Sequence, residues 1–206
     1  MTKIKLCGLT HPEDAVIVNE ENPDYVGFVF WNHSRRNVTP ERAQTIRQIV
    51  NGNIPAVGVF VDESPERILD LLERKIIQIV QLHGHETDKY IRSLKKQTSA
   101  PVIRAFQVRS AEDICRAEKS QADMILLDNG TGTGETFDWN MMETIRRPFF
   151  LAGGLHDGNV TEAIRKYQPY AVDVSSGIET DGKKDPAKIR RFVRAVRGME
   201  DEEERI

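Results

Sequence analysis

The feature that most constrains this chain is a regular alternation. Apolar, β-branched runs of strand length begin near residues 3, 25, 55, 78, 101, 123, 149 and 171, a repeat of about 24 residues. Amphipathic segments fill the intervals. The stretch near 66–74 carries Ile68, Leu69, Leu71 and Leu72 on one face at helical spacing. Thr39-Pro40, Ser64-Pro65 and Asp185-Pro186 each place a capping oxygen before a proline suited to the first helical position. Thr10 with Glu13, and Ser110 with Asp113, have the spacing of capping boxes.

Strands that alternate with helices imply βαβ units and parallel pairing. Eight such units in 206 residues close naturally into a (β/α)8 TIM barrel, close to the lower size limit of that fold. The rival is an open doubly wound sheet, which carries a GxGxxG fingerprint in its first turn. Here that turn reads Cys7-Gly8-Leu9-Thr10, so the barrel is favoured. The expected organisation is one α/β domain over 1–198, a parallel eight-stranded barrel, followed by an acidic, disordered tail over 199–206.

The formal net charge of −3 comes from that tail. Residues 200–205 hold five acids and one arginine, which leaves the barrel close to neutral. A nucleic-acid partner, which wants a basic surface, is not expected. No apolar run approaches the ~20 residues that cross a bilayer, so no membrane partner is expected either. The N-terminus has no signal-peptide core. Cys7 and Cys115 form no disulfide framework, which points to a reducing cytosol. Cys115, in mid-helix, reads as a small buried residue.

Barrel sites lie at the C-terminal ends of the strands, and alternation along each strand selects the inward side chains. Lys5 and Cys7 share the inward face of the first strand, with Ile4 and Leu6 toward the helices. Asp128 ends the sixth strand on the inward parity of Met124 and Leu126, roughly across the mouth from Cys7. A thiol facing a carboxyl makes a plausible acid/base pair. Gln81 and His83 share a parity at the end of the fourth strand. The glycine-rich run 129–137 reads either as an active-site lid or as a mobile surface loop. Gly153-Gly154 and Ser175-Ser176-Gly177 end strands seven and eight, where barrels recurrently bind phosphate through backbone N–H groups. Ser34-Arg35-Arg36, after the second strand, suits a carboxylate. No cluster has metal-ligand spacing.

These motifs resemble the phosphoribosylanthranilate isomerase family. The resemblance runs through Lys5–Thr10, Gly27–Phe30, Ser34–Arg36, Gly58–Val61 and Gln81–Gly84. It continues through Leu127-Asp128, Gly132–Gly134, Thr136–Trp139, Ala152–Leu155 and Val172–Gly177, nearly the whole chain in order. It implies an Amadori rearrangement in tryptophan biosynthesis, from an aminoaldose phosphate to an aminoketose, with no cofactor and no metal. It assigns Cys7 as general base, Asp128 as general acid and Arg36 as the carboxylate holder. Gly153, Gly154, Ser175, Ser176 and Gly177 would hold the phosphate, with Asp173 supporting the site.

The chemistry suits those roles. Opening the sugar ring needs an acid, so Asp128 must hold a proton, which burial and substrate anions favour. A thiolate at Cys7 would then remove the C2 proton. Lys5, one inward position below, is a candidate to lower the Cys7 pKa. Three residues depart from the family pattern. His33 stands where lysine is common, Asn37 where an aromatic is common, and Glu135 where lysine is common. A histidine-pathway aminoaldose isomerase and a non-catalytic phosphometabolite-binding barrel are the competing functions. The sequence leaves monomer and homodimer both open.

Overall fold

A computed structural model describes residues 1–128 and 145–203, with side chains described to residue 198. Eight parallel strands close into a barrel in chain order. They are β1 (Lys3–Cys7), β2 (Tyr25–Val29), β3 (Ala56–Phe60), β4 (Ile79–Leu82), β5 (Val102–Gln107), β6 (Met124–Asp128), β7 (Phe149–Ala152) and β8 (Ala171–Val174). Closure sets Lys5 beside Asp173 where β1 meets β8, and Cys7 beside Gly27 where β1 meets β2.

Seven described helices follow the strands: α1 (Pro12–Glu21), α2 (Pro40–Ile49), α3 (Pro65–Glu73), α4 (Asp88–Lys95), α5 (Ala111–Lys119), α6 (Val160–Tyr167) and α7 (Pro186–Glu203). The helix and the glycine-rich loop expected between β6 and β7 fall in 129–144, outside the described residues. The tail expected over 199–206 falls where side chains are not described, and α7 reaches Glu203 within it.

The caps follow local chemistry. Thr39 Oγ1 accepts from Arg42 N and Ser64 Oγ from Arg67 N, and Ser110 with Asp113 forms its box. The box at α1 sits one residue later than the sequence spacing suggested. Pro12 takes the first helical position, so His11 is the cap, and Asp14 rather than Glu13 accepts from the Thr10 and His11 amides. Cys115 is exposed, not buried. Ile114 and Ala117 take the packed face of α5 and turn it outward.

Two apolar layers result. Ile4, Leu6, Val172 and Val174 pack outward against the helices. Tyr25, Val57, Ile79, Ile103, Leu126 and Phe150 fill the barrel itself. At its floor the Tyr25 and Tyr170 hydroxyls meet at 3.0 Å, and Phe150 packs at 5.6 Å from each of their rings. Lys3 lies over both tyrosine rings. Above this floor the next inward residues are Lys5, Gln81 and Asp173, all buried. The last inward positions, Cys7, His83 and Asp128, open onto the mouth.

A small hairpin follows β8. Strands β9 (Glu179–Thr180) and β10 (Lys183–Lys184) pair Lys184 with Glu179. Asp181 and Gly182 turn between them with φ of 51° and 77°, the double positive φ of a type I′ turn.

Candidate active site

Cys7, Arg36, His83, Asp128, Gly153 and Ser176 all line one cavity at the barrel mouth. The expected inward faces are therefore the observed ones. Cys7 is buried at the end of β1, and its room comes from Gly27, where a Cβ would lie 2.6 Å from Sγ. Ser175 Oγ donates to the Cys7 carbonyl at 3.0 Å, tying the β8 loop to the β1 end.

Lys5 is 0% exposed, which decides its role. A buried ammonium must be paired, and Nζ donates to Asp173 Oδ2 at 2.7 Å and to Gln81 Oε1 at 2.8 Å. Burial works against its charge, but Asp173 and Cys7 outweigh that, so the Lys5 pKa is raised. Burial also pushes the Cys7 thiol up. Lys5 and Lys184 pull it down and Asp173 adds to the rise, leaving the net shift upward. The expected influence of Lys5 is present with the expected sign, but desolvation exceeds it.

Asp128 is partly buried, and its Oδ2 lies 3.4 Å from His83 Nε2. Gln81 Nε2 lies 3.1 Å from His83 Nδ1. A continuous polar line therefore joins Asp173, Lys5, Gln81, His83 and Asp128.

Arg36 is not a free clamp. Nε donates to Glu179 Oε1 at 2.6 Å and Nη2 to Oε2 at 2.8 Å. Arg35 reaches the same carboxylate at 3.2 Å. Lys184, itself buried, donates to Glu179 Oε1 at 2.9 Å and to the Ser175 carbonyl at 3.1 Å. Burial pushes Glu179 up, but the Arg36 hydrogen bonds and the Lys184 charge prevail and lower its pKa. Burial lowers the Lys184 pKa despite Glu179. Glu179 and Lys184 were not singled out from the sequence. The signal available was Asp181-Gly182, a hairpin turn that pairs Thr180 with Lys183 and, one step further out, Glu179 with Lys184.

Gly153 and Gly154 sit at φ of 93° and 66°, a pair of left-handed residues that only glycine adopts cheaply. Gly177 lies where the two late loops press together, since a Cβ there would sit 1.9 Å from the Leu155 carbonyl oxygen. Among the described residues no group of three or more His, Cys, Asp or Glu could hold a metal ion. No described helix is long and apolar enough to cross a membrane.

Residues 4–195 match the family described as N-(5'phosphoribosyl)anthranilate (PRA) isomerase. An N-(5'-phosphoribosyl)anthranilate isomerase of Endomicrobium trichonymphae is 42% identical over 204 residues, covering 97% of this chain and 100% of that one. The phosphoribosyl anthranilate isomerase of Thermotoga maritima superposes with a TM-score of 0.87 at 39% identity, covering 96% and 100% of the two chains. A structure of the isomerase in complex with reduced 1-(o-carboxyphenylamino)-1-deoxyribulose 5-phosphate superposes at 0.85, again at 39% identity, covering 96% and 100%.

Proposed function

This chain belongs to the N-(5'-phosphoribosyl)anthranilate isomerase family, and from that premise we propose that Cys7 is the general base and Asp128 the general acid at the barrel mouth. The activity is isomerisation of N-(5'-phosphoribosyl)anthranilate to 1-(2-carboxyphenylamino)-1-deoxyribulose 5-phosphate in tryptophan biosynthesis. The observation that carries the assignment is that Cys7 and Asp128, three strands apart around the ring, line the same cavity.

The sequence of proton transfers follows from the groups present. Asp128 gives its proton to the ring oxygen, and the ring opens to a Schiff base. The electron-poor C=N bond acidifies the C2 proton of the sugar, which Cys7 takes as a thiolate. The resulting enol tautomerises to the ketone. Residues 153 and 154 at left-handed φ, with Ser175, Ser176 and Gly177, hold the phosphate. The Ser175 hydroxyl is committed to the Cys7 carbonyl, so its share of anion binding falls to backbone N–H groups. Arg36 has two forks. Glu179 occupies the Nε–Nη2 edge, and the Nη1–Nη2 edge serves the anthranilate carboxylate. Asp173 supports the site through Lys5. The acid, the base and the anion-binding groups are all protein groups. Two free thiols suit a reducing cytosol.

Anthranilate-bearing substrate is fluorescent, so turnover by the purified protein is followed directly. Consumption of the fluorescent aminoaldose is expected. Binding without consumption would leave only a phosphometabolite-binding barrel.

A further inference from the structure

The polar line across the barrel carries more than support. Lys5 Nζ faces Gln81 at 2.8 Å. An ammonium only donates, so the Gln81 atom facing it is the carbonyl oxygen. That fixes the amide, whose Nε2 then faces His83 Nδ1 at 3.1 Å. An amide nitrogen also only donates, so Nδ1 must accept and carries no proton. The ring proton therefore sits on Nε2, 3.4 Å from Asp128 Oδ2.

We propose that Lys5 and Gln81 lock His83 as its Nε2–H tautomer, and that His83 is a positioning residue whose N–H stabilises the Asp128 carboxylate as it forms. This rests on Asp128 being the general acid. When Asp128 gives its proton to the ring oxygen, negative charge appears on the carboxylate. A hydrogen bond to the charged form favours that form, and a donor already aimed at it costs no reorganisation during the step. The separation of 3.4 Å is long for an N–H···O bond, and such contacts tighten when the reacting charge develops. His83 keeps its own proton throughout. The opposite tautomer would present a lone pair to the new carboxylate and oppose the transfer. The Lys5 charge, deep in the barrel, is thereby expressed at the mouth as the position of one proton.

The test joins spectroscopy to kinetics. In 15N-histidine-labelled protein, protonated and unprotonated ring nitrogens resonate far apart, and the His83 signals are identified by their loss in His83→Gln. The proton is expected on Nε2. In Gln81→Glu, which offers Nδ1 an acceptor, it is expected to move to Nδ1. Loss of a hydrogen bond to a charged group is expected to lower kcat roughly 10- to 100-fold in His83→Leu, with KM within about twofold. His83→Gln, whose amide can reach from the Nε2 position, is expected to recover much of that loss. A wild-type His83 protonated on Nδ1 overturns the lock, whatever the variants do. Asp128→Asn separates the two ideas. A large kcat loss there with wild-type kcat in His83→Leu overturns the role of His83 alone. Wild-type kcat in both overturns the acid assignment beneath it.

Discussion

Replacing Lys5 with methionine removes one partner of an ion pair buried inside a closed barrel. Lys5 Nζ lies 2.7 Å from Asp173 Oδ2, with side-chain exposures of 0% and 8%. Asp173 would be left in a buried space without that partner, and among the described residues its Oδ1 already has no hydrogen-bond partner. Breaking a buried pair by removing one member costs about 3–5 kcal/mol. For a domain of this size each kcal/mol lowers Tm by roughly 2–4 °C, so a fall of roughly 6–20 °C is expected by thermal denaturation. Lys5→Met with Asp173→Leu removes both charges together. Well-packed apolar replacement of a whole pair is often neutral or stabilising, so the double variant should recover most of the loss. A thermodynamic cycle on the four proteins reads the coupling. If Lys5→Met alone unfolds like the wild type, or if the double variant loses the sum of the singles, the pair is not the buried electrostatic centre described above.

Arg36→Met should raise KM more than it lowers kcat, because a carboxylate clamp acts in ground and transition states alike; steady-state kinetics showing the reverse would make Arg36 a catalytic group. Glu179→Gln should raise KM by a smaller factor, since it loosens the guanidinium without removing it, and an unchanged KM would dissociate Glu179 from the clamp. Gly177→Ala should destabilise by about 1–3 kcal/mol in denaturant unfolding, as overpacking does; the obstacle is the Leu155 carbonyl, which is backbone and cannot swing aside. Burial holds the Cys7 thiol above its ordinary pKa, so the rate of Cys7 alkylation in the wild type should rise with pH to a midpoint above that of a free cysteine, and a midpoint at or below it would refute the desolvation. Lys5 lowers the Cys7 pKa, so thiol titration of Lys5→Met should shift further upward, and an unmoved titration would remove Lys5 from that role.

The barrel was legible because its signal is periodic. All eight strand starts lie within one residue of the positions where the apolar runs begin. Parity then placed Lys5, Cys7 and Asp128 inward and set Gln81 and His83 on one face, while Asp173 came from the family resemblance. Local rules failed where two competed, as at α1, where the proline at residue 12 overrode the spacing from Thr10. Tertiary facts were harder. Nothing near Arg36 in the chain announces Glu179, whose two-residue strand is too short to register as an element. The sign of the Lys5 effect on Cys7 follows from charge alone, but its defeat by desolvation depends on how tightly the mouth is packed.

The central claim is that one thiol and one carboxyl carry the proton transfers. Its most direct test is kcat for Cys7→Ala and Asp128→Ala in the fluorescence assay, with folding checked by circular dichroism. Each should fall by at least ~10²-fold, the minimum attributed to a positioned acid or base. A folded variant with near-wild-type kcat would contradict the account at that residue.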